Sequence, residues 1–268
     1  MELASWRTLA RAIKHADIVV EVLDIRDPVS TQSRRLEGMV RAFEKKLLLV
    51  LNKSDLVPRS VAEKWRSIYQ SLGYEVVYVS ARHRMGTRIL RGAIKAIADE
   101  KPFSVVVVGY PKTGKSSIIN ALRARRGAST SPIPGSPGYT RHIQLYKVEP
   151  GFYLIDTPGV IPVEGGWPEA VIRGKAPEEL ADPVPPALAL LEKALYYNPR
   201  AVVEAYGISE RDPMRILEEL AIRRGWRYRS TGEPLIEEAA RTVIRDYHKA
   251  KLLFYVPPEE YLRSLRLA

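Results

Sequence analysis

The chain up to Gly159 alternates between short apolar runs and amphipathic stretches. The apolar runs are continuous and rich in valine, isoleucine and leucine, which is typical of strands buried on both faces. We predict strands at Ile18–Leu23, Leu47–Leu51, Glu75–Val79 and Ser104–Val108, and at residues 143–148 and 152–155. We predict helices between them at Ser5–His15, Val61–Leu72 and Thr87–Ala98, and assign none to the polar segment between the first two strands. Strands that alternate with helices predict an α/β domain with a mostly parallel sheet.

Beyond Gly159 the pattern no longer indicates strands. Prolines and glycines are frequent up to Pro186, which predicts loop and linker. From Ala187 onward the pattern is helical, and it includes the stretches Met214–Arg223 and Ile236–Leu253. We therefore predict an α/β domain over residues 1–165, a linker over 166–186 and a small all-α C-terminal domain over 187–268.

Composition narrows the class of protein. The chain has 268 residues, of which 46% are hydrophobic, so it can bury a sizeable core. It contains no cysteine, which excludes disulfides and cysteine-ligated metal sites. No apolar run approaches the roughly 18 residues of a membrane span, and the start of the chain lacks the layout of a signal peptide. We expect a cytoplasmic monomer without a membrane partner.

The net charge of +11 favours a polyanionic partner. Arginines cluster within Arg82–Arg91, Arg123–Arg126 and Arg223–Arg229. In a cytoplasm the expected polyanion is RNA, and we do not expect DNA. The alternative is that these arginines belong to the solvated surface of a heat-adapted protein.

A glycine-rich loop follows the strand Ser104–Val108. It is Gly109-Tyr-Pro-Lys-Thr-Gly114-Lys115-Ser116, and it matches the P-loop pattern G-x-x-x-x-G-K-[ST] between a strand and a helix. Glycines let backbone N–H groups wrap phosphates, and the following helix adds its dipole. We expect Lys115 to neutralise the β and γ phosphates and Ser116 to ligate Mg²⁺. The predicted phosphate-binding residues are Pro111, Lys112, Thr113, Gly114, Lys115, Ser116 and Ser117.

A second phosphate motif, Asp156-Thr-Pro-Gly159, follows the last predicted strand. The Asp156 carboxylate can hold Mg²⁺, and the N–H of Gly159 can meet the γ-phosphate because glycine allows close backbone approach. On its own this tetrapeptide also fits a simple turn. Behind a P-loop it predicts a γ-phosphate sensor.

The segment Gly127–His142 is rich in serine, threonine, glycine and proline, as are loops that order around a γ-phosphate. Within it we favour Thr140 as a hydroxyl ligand of Mg²⁺. The competing hydroxyls are those of Ser129, Thr130, Ser131 and Ser136. The predicted metal ligands are therefore Ser116, Thr140 and Asp156, and the predicted catalytic residues are Lys115, Thr140 and Gly159.

Two short motifs at strand ends predict recognition of guanine. In Asn52-Lys53-Ser54-Asp55, the Asp55 carboxylate can accept from guanine N1–H and N2–H₂, an arrangement that adenine lacks. We expect Asn52 to tie this loop to the P-loop and to reach the other edge of the base. We expect the stem of Lys53 to cover the ring face. Ser80-Ala81-Arg82 follows the third strand and offers a backbone N–H to the guanine carbonyl.

The order of these motifs is unusual. A Ras-like GTPase has the P-loop first and the base-recognition motifs last, whereas here the base-recognition motifs come first. The same sheet forms if the old termini are joined, here through Thr87–Ala98 and Asp99–Phe103, and a new break follows D-x-x-G. The sequence thus predicts a circularly permuted P-loop GTPase domain that binds GTP, GDP and Mg²⁺.

With these motifs the chain resembles the circularly permuted GTPases of the YlqF/YawG-like family. Asp24-Ile-Arg-Asp-Pro28, Ser136–Thr140, Gly232-Glu-Pro and Ala239–Lys251 extend the resemblance over nearly the whole chain. The resemblance implies that the C-terminal domain binds ribosomal RNA or a maturing large ribosomal subunit, and that GTP hydrolysis triggers release. Many family members have Asn-Val in the P-loop where this chain has Lys112-Thr113, so the K⁺ stimulation associated with that asparagine does not carry over.

Val160 occupies the position at which Ras-like enzymes place a water-orienting glutamine. Valine can neither donate to nor accept from water, so we expect slow hydrolysis without an activator. His142 is one candidate to position the water, and His83 is interpreted as a surface residue. The leading interpretation is a slow GTPase switch that binds ribosomal RNA or a maturing large subunit. The alternatives are a GTPase acting on tRNA or another structured RNA, and a GTP-binding module with negligible hydrolysis.

Overall fold

The computed structural model describes residues 5–123, 144–156 and 159–267, without the side chains of Gln144, Asp156 and residues 264–267. The chain divides into two compact units, Met1–Pro162 and Val163–Ala268. All strands of the described residues lie in the first unit, and the second unit is helical.

The first unit is built on a six-stranded sheet. Its strands are β1 Ile18–Asp24, β2 Lys46–Asn52, β3 Glu75–Tyr78, β4 Phe103–Val108, β5 Gln144–Glu149 and β6 Phe152–Asp156. They lie in the order β3-β2-β1-β4-β6-β5, and neighbours pair in parallel except for β5 and β6. β5 is antiparallel because the tight turn at Pro150 and Gly151 joins it directly to β6. The mostly parallel sheet predicted from the apolar runs is confirmed.

Helices connect the strands of this unit. They are α1 Trp6–His15, α2 Pro28–Thr31, α3 Arg34–Ala42, α4 Arg59–Ser71, α5 Thr87–Ile97 and α6 Lys115–Arg123. α2 and α3 lie in the polar segment to which the sequence pattern assigned no helix. The side chains of Asp27 and Ser33 cap their N-termini by accepting backbone N–H groups. α3 buries only Leu36 and Val40, so its apolar periodicity is too sparse to stand out.

β1 is the central strand, and all of its residues are buried. Full burial of a valine, leucine or isoleucine side chain contributes about 1.5–3 kcal/mol, so the apolar residues of this strand stabilise the unit. β1 pairs with β2 on one side and with β4 on the other, and Asp24 stands opposite Asn52 in the register. The carboxyl ends of the three strands therefore meet at one edge of the sheet, where ligands of open α/β folds bind.

One acidic side chain, Glu21, lies in the middle of β1 and is fully buried. Its Oε1 accepts the backbone N–H of Ser33 at 2.8 Å. Its Oε2 has no hydrogen-bond partner in the part of the chain that the structure describes. Burial raises the pKa of Glu21 well above its usual value, and the neighbouring carboxylate of Glu37 adds to this increase. Glu21 therefore holds a proton in the folded protein at pH values where a solvated glutamate has lost it.

Replacing Glu21 with glutamine should remove a pH-dependent loss of stability. The folded protein binds more protons than the unfolded chain above the unfolded glutamate pKa of about 4.3, so wild-type stability falls as the pH rises towards the raised pKa. The slope is about 1.4 kcal/mol per pH unit. Urea unfolding of both proteins at a series of pH values measures the difference, in which contributions from other groups cancel. Parallel stability curves for the two proteins would contradict a protonated Glu21.

The second unit is a helical domain. Its helices are α7 Glu169–Ile172, α8 Val184–Tyr197, α9 Ala201–Tyr206, α10 Pro213–Arg223, α11 Ile236–His248 and α12 Pro258–Leu267. Apolar side chains of α8, α10 and α11 form its core, among them Leu191, Leu217 and Ile244. The segment 166–186 contains α7 and places Val171 in this core, so much of it is packed rather than extended as a free linker. No helix among the described residues is long and apolar enough to cross a bilayer.

Candidate functional site

The loop between β4 and α6 contains three residues with positive φ. Gly109 and Gly114 have φ values of 154° and 101°, and Lys112 also lies in the left-handed region at 63°. A Cβ on Gly109 would stand 2.6 Å from the carbonyl oxygen of Val22 on β1. Thr113 is buried, and its Oγ1 donates to the Tyr110 carbonyl at 2.9 Å. The loop is thus fixed against the sheet and leads into the N-terminus of α6, which favours anions.

Lys115 opens α6 and lies over this loop. Its Nζ donates to the Tyr110 carbonyl at 2.6 Å. Burial lowers the pKa of Lys115 to about 8. The amine makes no ion pair with a described residue that would oppose this change. A phosphate group would supply a counter-charge to this amine. Ser116 is exposed in the first helical turn, and Pro111 and Ser117 are half-buried beside it.

The side-chain amide of Asn52 joins three loops. Its Nδ2 donates to the Thr113 carbonyl of the P-loop at 2.9 Å. Its Oδ1 accepts the backbone N–H of Ala81 at 3.1 Å. Asn52 is only 3% exposed, so both contacts are shielded from water. Asn52 makes the tie to the P-loop that was expected of it, and it leaves one N–H and one lone pair for other partners.

The residues predicted to recognise the base follow β2 and β3. Asp55 lies in a 3₁₀ turn, Ser54–Leu56, with its side chain 22% exposed. Ser80 and Ala81 are buried, whereas Arg82 is exposed. Two backbone hydrogen bonds between Ser80 and Met85 close the loop around Arg82. The closed loop brings His83 Nε2 to 3.6 Å from Asp55 Oδ2.

Lys53 belongs to a charged cluster with Asp24 and Arg26. Its Nζ contacts Asp24 Oδ2 at 2.6 Å. Arg26 donates two hydrogen bonds to the same carboxylate, from Nε at 3.0 Å and from a terminal nitrogen at 2.7 Å. Burial by itself would raise the pKa of Asp24, but Arg26 and Lys53 outweigh it and hold that pKa well below its usual range. Burial also lowers the pKa of Lys53, although Asp24 opposes this change.

The second phosphate motif lies beside the P-loop. The N–H of Gly109 donates to the Gly159 carbonyl at 3.0 Å, and the N–H of Ile161 donates back to the Gly109 carbonyl at 2.9 Å. A Cβ on Gly159 would overlap the carbonyl oxygen of Val107 on β4, so only glycine fits there. The backbone of Asp156 ends β6, but its side chain is outside the described part of the structure. Thr140, the competing hydroxyls and His142 also lie outside the described residues.

Three residues of the site were not assigned a role from the sequence. In the sequence, Asp24 and Arg26 were used only as part of the motif that carries the family resemblance. A carboxylate at the end of a buried strand is, however, itself an indication of a functional residue. His83 was interpreted as a surface residue, and its side chain is indeed 54% exposed, yet it lies beside Asp55. Its position directly after Ser80-Ala81-Arg82 was the available signal.

These contacts define a class of protein. A strand, a glycine loop and a helix that begins with Lys115 form a P-loop, and Asn52 connects it to loops that precede it in the chain. The arrangement is that of a P-loop nucleotide-binding protein with its base-recognition half placed first.

The chain belongs to the RsgA GTPase family, whose sequence profile matches residues 7–164. It is 37% identical over 249 residues to an uncharacterized GTP-binding protein of Methanocaldococcus jannaschii, with 91% of this chain and 65% of that protein covered. It is 33% identical over 265 residues to nucleolar GTP-binding protein 2 of Yarrowia lipolytica, with 95% of this chain and 51% of that protein covered. The chain thus spans only about half to two thirds of the length of these relatives.

Solved structures share the fold. GNP-bound YlqF from T. maritima matches with a TM-score of 0.68 at 22% identity, covering 94% of this chain and 97% of that chain. A GDP-bound YlqF structure matches with a TM-score of 0.65 at 23% identity, covering 91% and 96%. The circularly permuted GTPase fold predicted from the order of the motifs, and the resemblance to YlqF, are confirmed.

Proposed function

We propose that this chain binds GTP and GDP, hydrolyses GTP slowly, and in its GTP-bound state binds ribosomal RNA or a maturing large ribosomal subunit. The observation that carries the nucleotide part is the amide of Asn52, which joins the Thr113 carbonyl to the Ala81 N–H. These two hydrogen bonds fix the distance between the base-recognition loop and the phosphate loop. A nucleotide whose base and phosphates are bound at the same time requires such a fixed distance.

The residues of the P-loop fit a nucleotide phosphate. The amine of Lys115 is buried without a described anionic partner, and the loop glycines keep the backbone open to close approach. Ser116 and Asp156, together with Thr140, would hold Mg²⁺, which supplies charge neutralisation at the phosphates when bound. Asp55 would select guanine, with the stem of Lys53 against the ring and Ala81 offering its N–H.

Slow hydrolysis follows from the residue after Gly159. Val160 pairs through its backbone with Gly109, and its side chain cannot orient a water molecule. We expect Gly159 to contact the γ-phosphate through its N–H, which leaves the water to an external group. The ribosomal particle is the proposed source of that group.

The RNA partner is supported by charge and by relationship. The net charge is +11, and the second unit exposes the arginines of the segment Arg223–Arg229 together with Tyr228. An isolated bridge between Arg227 and Pro234, and a contact from Arg227 to the Gly232 carbonyl at 2.9 Å, order this segment. Fungal relatives are named nucleolar GTP-binding proteins. Exposed arginines beside an aromatic ring fit an RNA backbone with accessible bases.

Binding to purified large ribosomal subunits should depend on the nucleotide. We expect a non-hydrolysable GTP analogue to raise affinity over GDP by about 5- to 150-fold, the usual range of coupling between two ligands, and salt to weaken binding steeply. Co-sedimentation with the analogue, with GDP and without nucleotide, across a salt series, measures both effects. Equal affinities in the three states would end the switch proposal.

Two further measurements separate the proposed function from its alternatives. Stronger binding to tRNA than to subunits in the same assay would favour a GTPase for other structured RNA. Single-turnover and steady-state GTP hydrolysis, with and without subunits, identifies a binding module if no turnover occurs under either condition. We expect measurable turnover that subunits accelerate.

A further inference from the structure

The charged cluster of Asp24, Arg26 and Lys53 is an unusual use of buried charge. Asp24 and Arg26 are 3% and 1% exposed. A buried ion pair rarely contributes more stability than well-packed apolar side chains of the same volume, because removing the charges from water costs about as much as their attraction returns. Its presence at the carboxyl end of β1, beside the base-recognition loop, therefore points to a role in placing one of its members.

Lys53 is the member with a constrained backbone. Its φ of 65° and ψ of 36° lie in the left-handed region, which costs a residue other than glycine roughly 1–2 kcal/mol. This conformation starts the 3₁₀ turn that carries Asp55, and the Lys53 carbonyl accepts the N–H of Leu56 at 2.9 Å. The tether from Nζ to Asp24 fixes the far end of the same side chain. Lys53 is thus held at its backbone and at its ammonium, with the aliphatic stem between them.

Arg26 and the backbone around Asp24 make this anchor rigid. Arg26 binds both carboxylate oxygens, a fork geometry that lysine or glutamine cannot reproduce. The N–H of Asp24 donates to Thr31 Oγ1 at 3.0 Å, so the carboxylate cannot turn away with its backbone. Asp24 also stands beside Asn52 in the strand register, which couples the anchor to the residue that joins the loops.

We propose that Asp24 and Arg26 are positioning residues for the guanine ring: they hold the ammonium of Lys53 down, so that its stem forms a fixed platform for the face of the base. The proposal rests on the proposed binding of guanine nucleotides. It also assigns the ammonium of Lys53 to Asp24 rather than to the nucleotide. A contact that orders the platform before binding increases affinity without adding a contact to the ligand.

A double-mutant cycle on GDP affinity tests this inference. Asp24→Asn and Lys53→Met each release the tether, while methionine keeps much of the stem. Each should weaken GDP binding by about 10-fold, within the range for residues in direct contact, and the double variant should bind no worse than either single variant. A lysine whose ammonium binds the nucleotide would instead give effects that multiply, and that result would overturn the proposal.

Folding and base recognition are separated by two controls. Thermal unfolding of each variant gives the folded fraction at the assay temperature, and GDP affinity is compared per folded molecule. Wild-type affinity in folded Asp24→Asn would show a merely structural cluster and overturn the inference. In an Asp55→Asn background, adding Asp24→Asn should weaken xanthosine diphosphate by the same factor as it weakens GDP in the wild type, because a platform acts on the ring face and not on its edge. If the wild-type protein binds no GDP, the proposed function itself fails.

Discussion

Asp55→Asn should convert the protein from a guanosine-nucleotide binder into a xanthosine-nucleotide binder. Under the proposed function, the carboxylate of Asp55 accepts two donors of the guanine edge, N1–H and N2–H₂, whereas the amide of asparagine would place a donor against the guanine N2 group. An unpaired polar group in a shielded site costs about 3 kcal/mol, or about 100-fold in affinity. Xanthine has a carbonyl oxygen in place of that amine, so the asparagine amide can donate to it.

Competition between GDP, xanthosine diphosphate and ADP for a fluorescent nucleotide measures this change in both proteins. The wild type should prefer GDP over ADP by at least about 100-fold for the same reason. His83→Ala provides a control, because it removes the neighbour of the carboxylate and leaves the carboxylate in place. Equal affinity of the wild type for GDP and ADP would refute the assignment of Asp55.

Gly114→Ala should abolish tight nucleotide binding, by about 100-fold or more. The φ of 101° at Gly114 is unfavourable for alanine. The added Cβ would also overlap Nδ2 of Asn52, the atom that donates to the Thr113 carbonyl. Relief of the overlap requires Asn52 to move, which separates the P-loop from the base-recognition loop. Titration with fluorescent GDP measures the loss.

Gly92→Ala is the matched control. Gly92 lies in α5, and an added Cβ meets no atom within 4 Å. Alanine in the exposed interior of a helix stabilises the protein by about 0.5–1 kcal/mol relative to glycine. This variant should therefore unfold at a higher temperature and bind GDP normally. Normal GDP binding by Gly114→Ala would show that Asn52 does not couple the two loops.

The strands and most helices of the first unit could be predicted because each carries a signal in its own residues. β1, β2 and β4 are continuous apolar runs, as strands covered on both faces must be. The helices α2 and α3 were missed because their caps, Asp27 and Ser33, and not apolar periodicity, define them. α11 ends at His248 instead of Leu253, because Ala250 turns into the left-handed region with a φ of 59°.

The motifs of the site could be located in the sequence, and so could the tie from Asn52 to the P-loop, but the other contacts between the motifs could not. Nothing local to Asn52 indicates that its Oδ1 accepts the backbone N–H of Ala81, since this contact depends on the order of strands in the sheet. The same applies to Asp24, whose partner Lys53 directly follows the neighbouring strand β2. Pairing across a sheet is a property of the assembled fold.

The hydrogen bond from Asn52 to Thr113 spans 61 residues, which sets an order of events during synthesis. A ribosome releases the base-recognition loops first and the P-loop later. Until β4 emerges, the central strand β1 lacks its neighbour on one side and presents an open edge. Under the proposed function, a guanine nucleotide therefore finds its whole site only after Gly159 has left the exit tunnel, and its binding energy then favours the completed domain over shorter precursors. In the nascent chain, GTP would first stabilise the completed domain, before its hydrolysis controls binding to a partner.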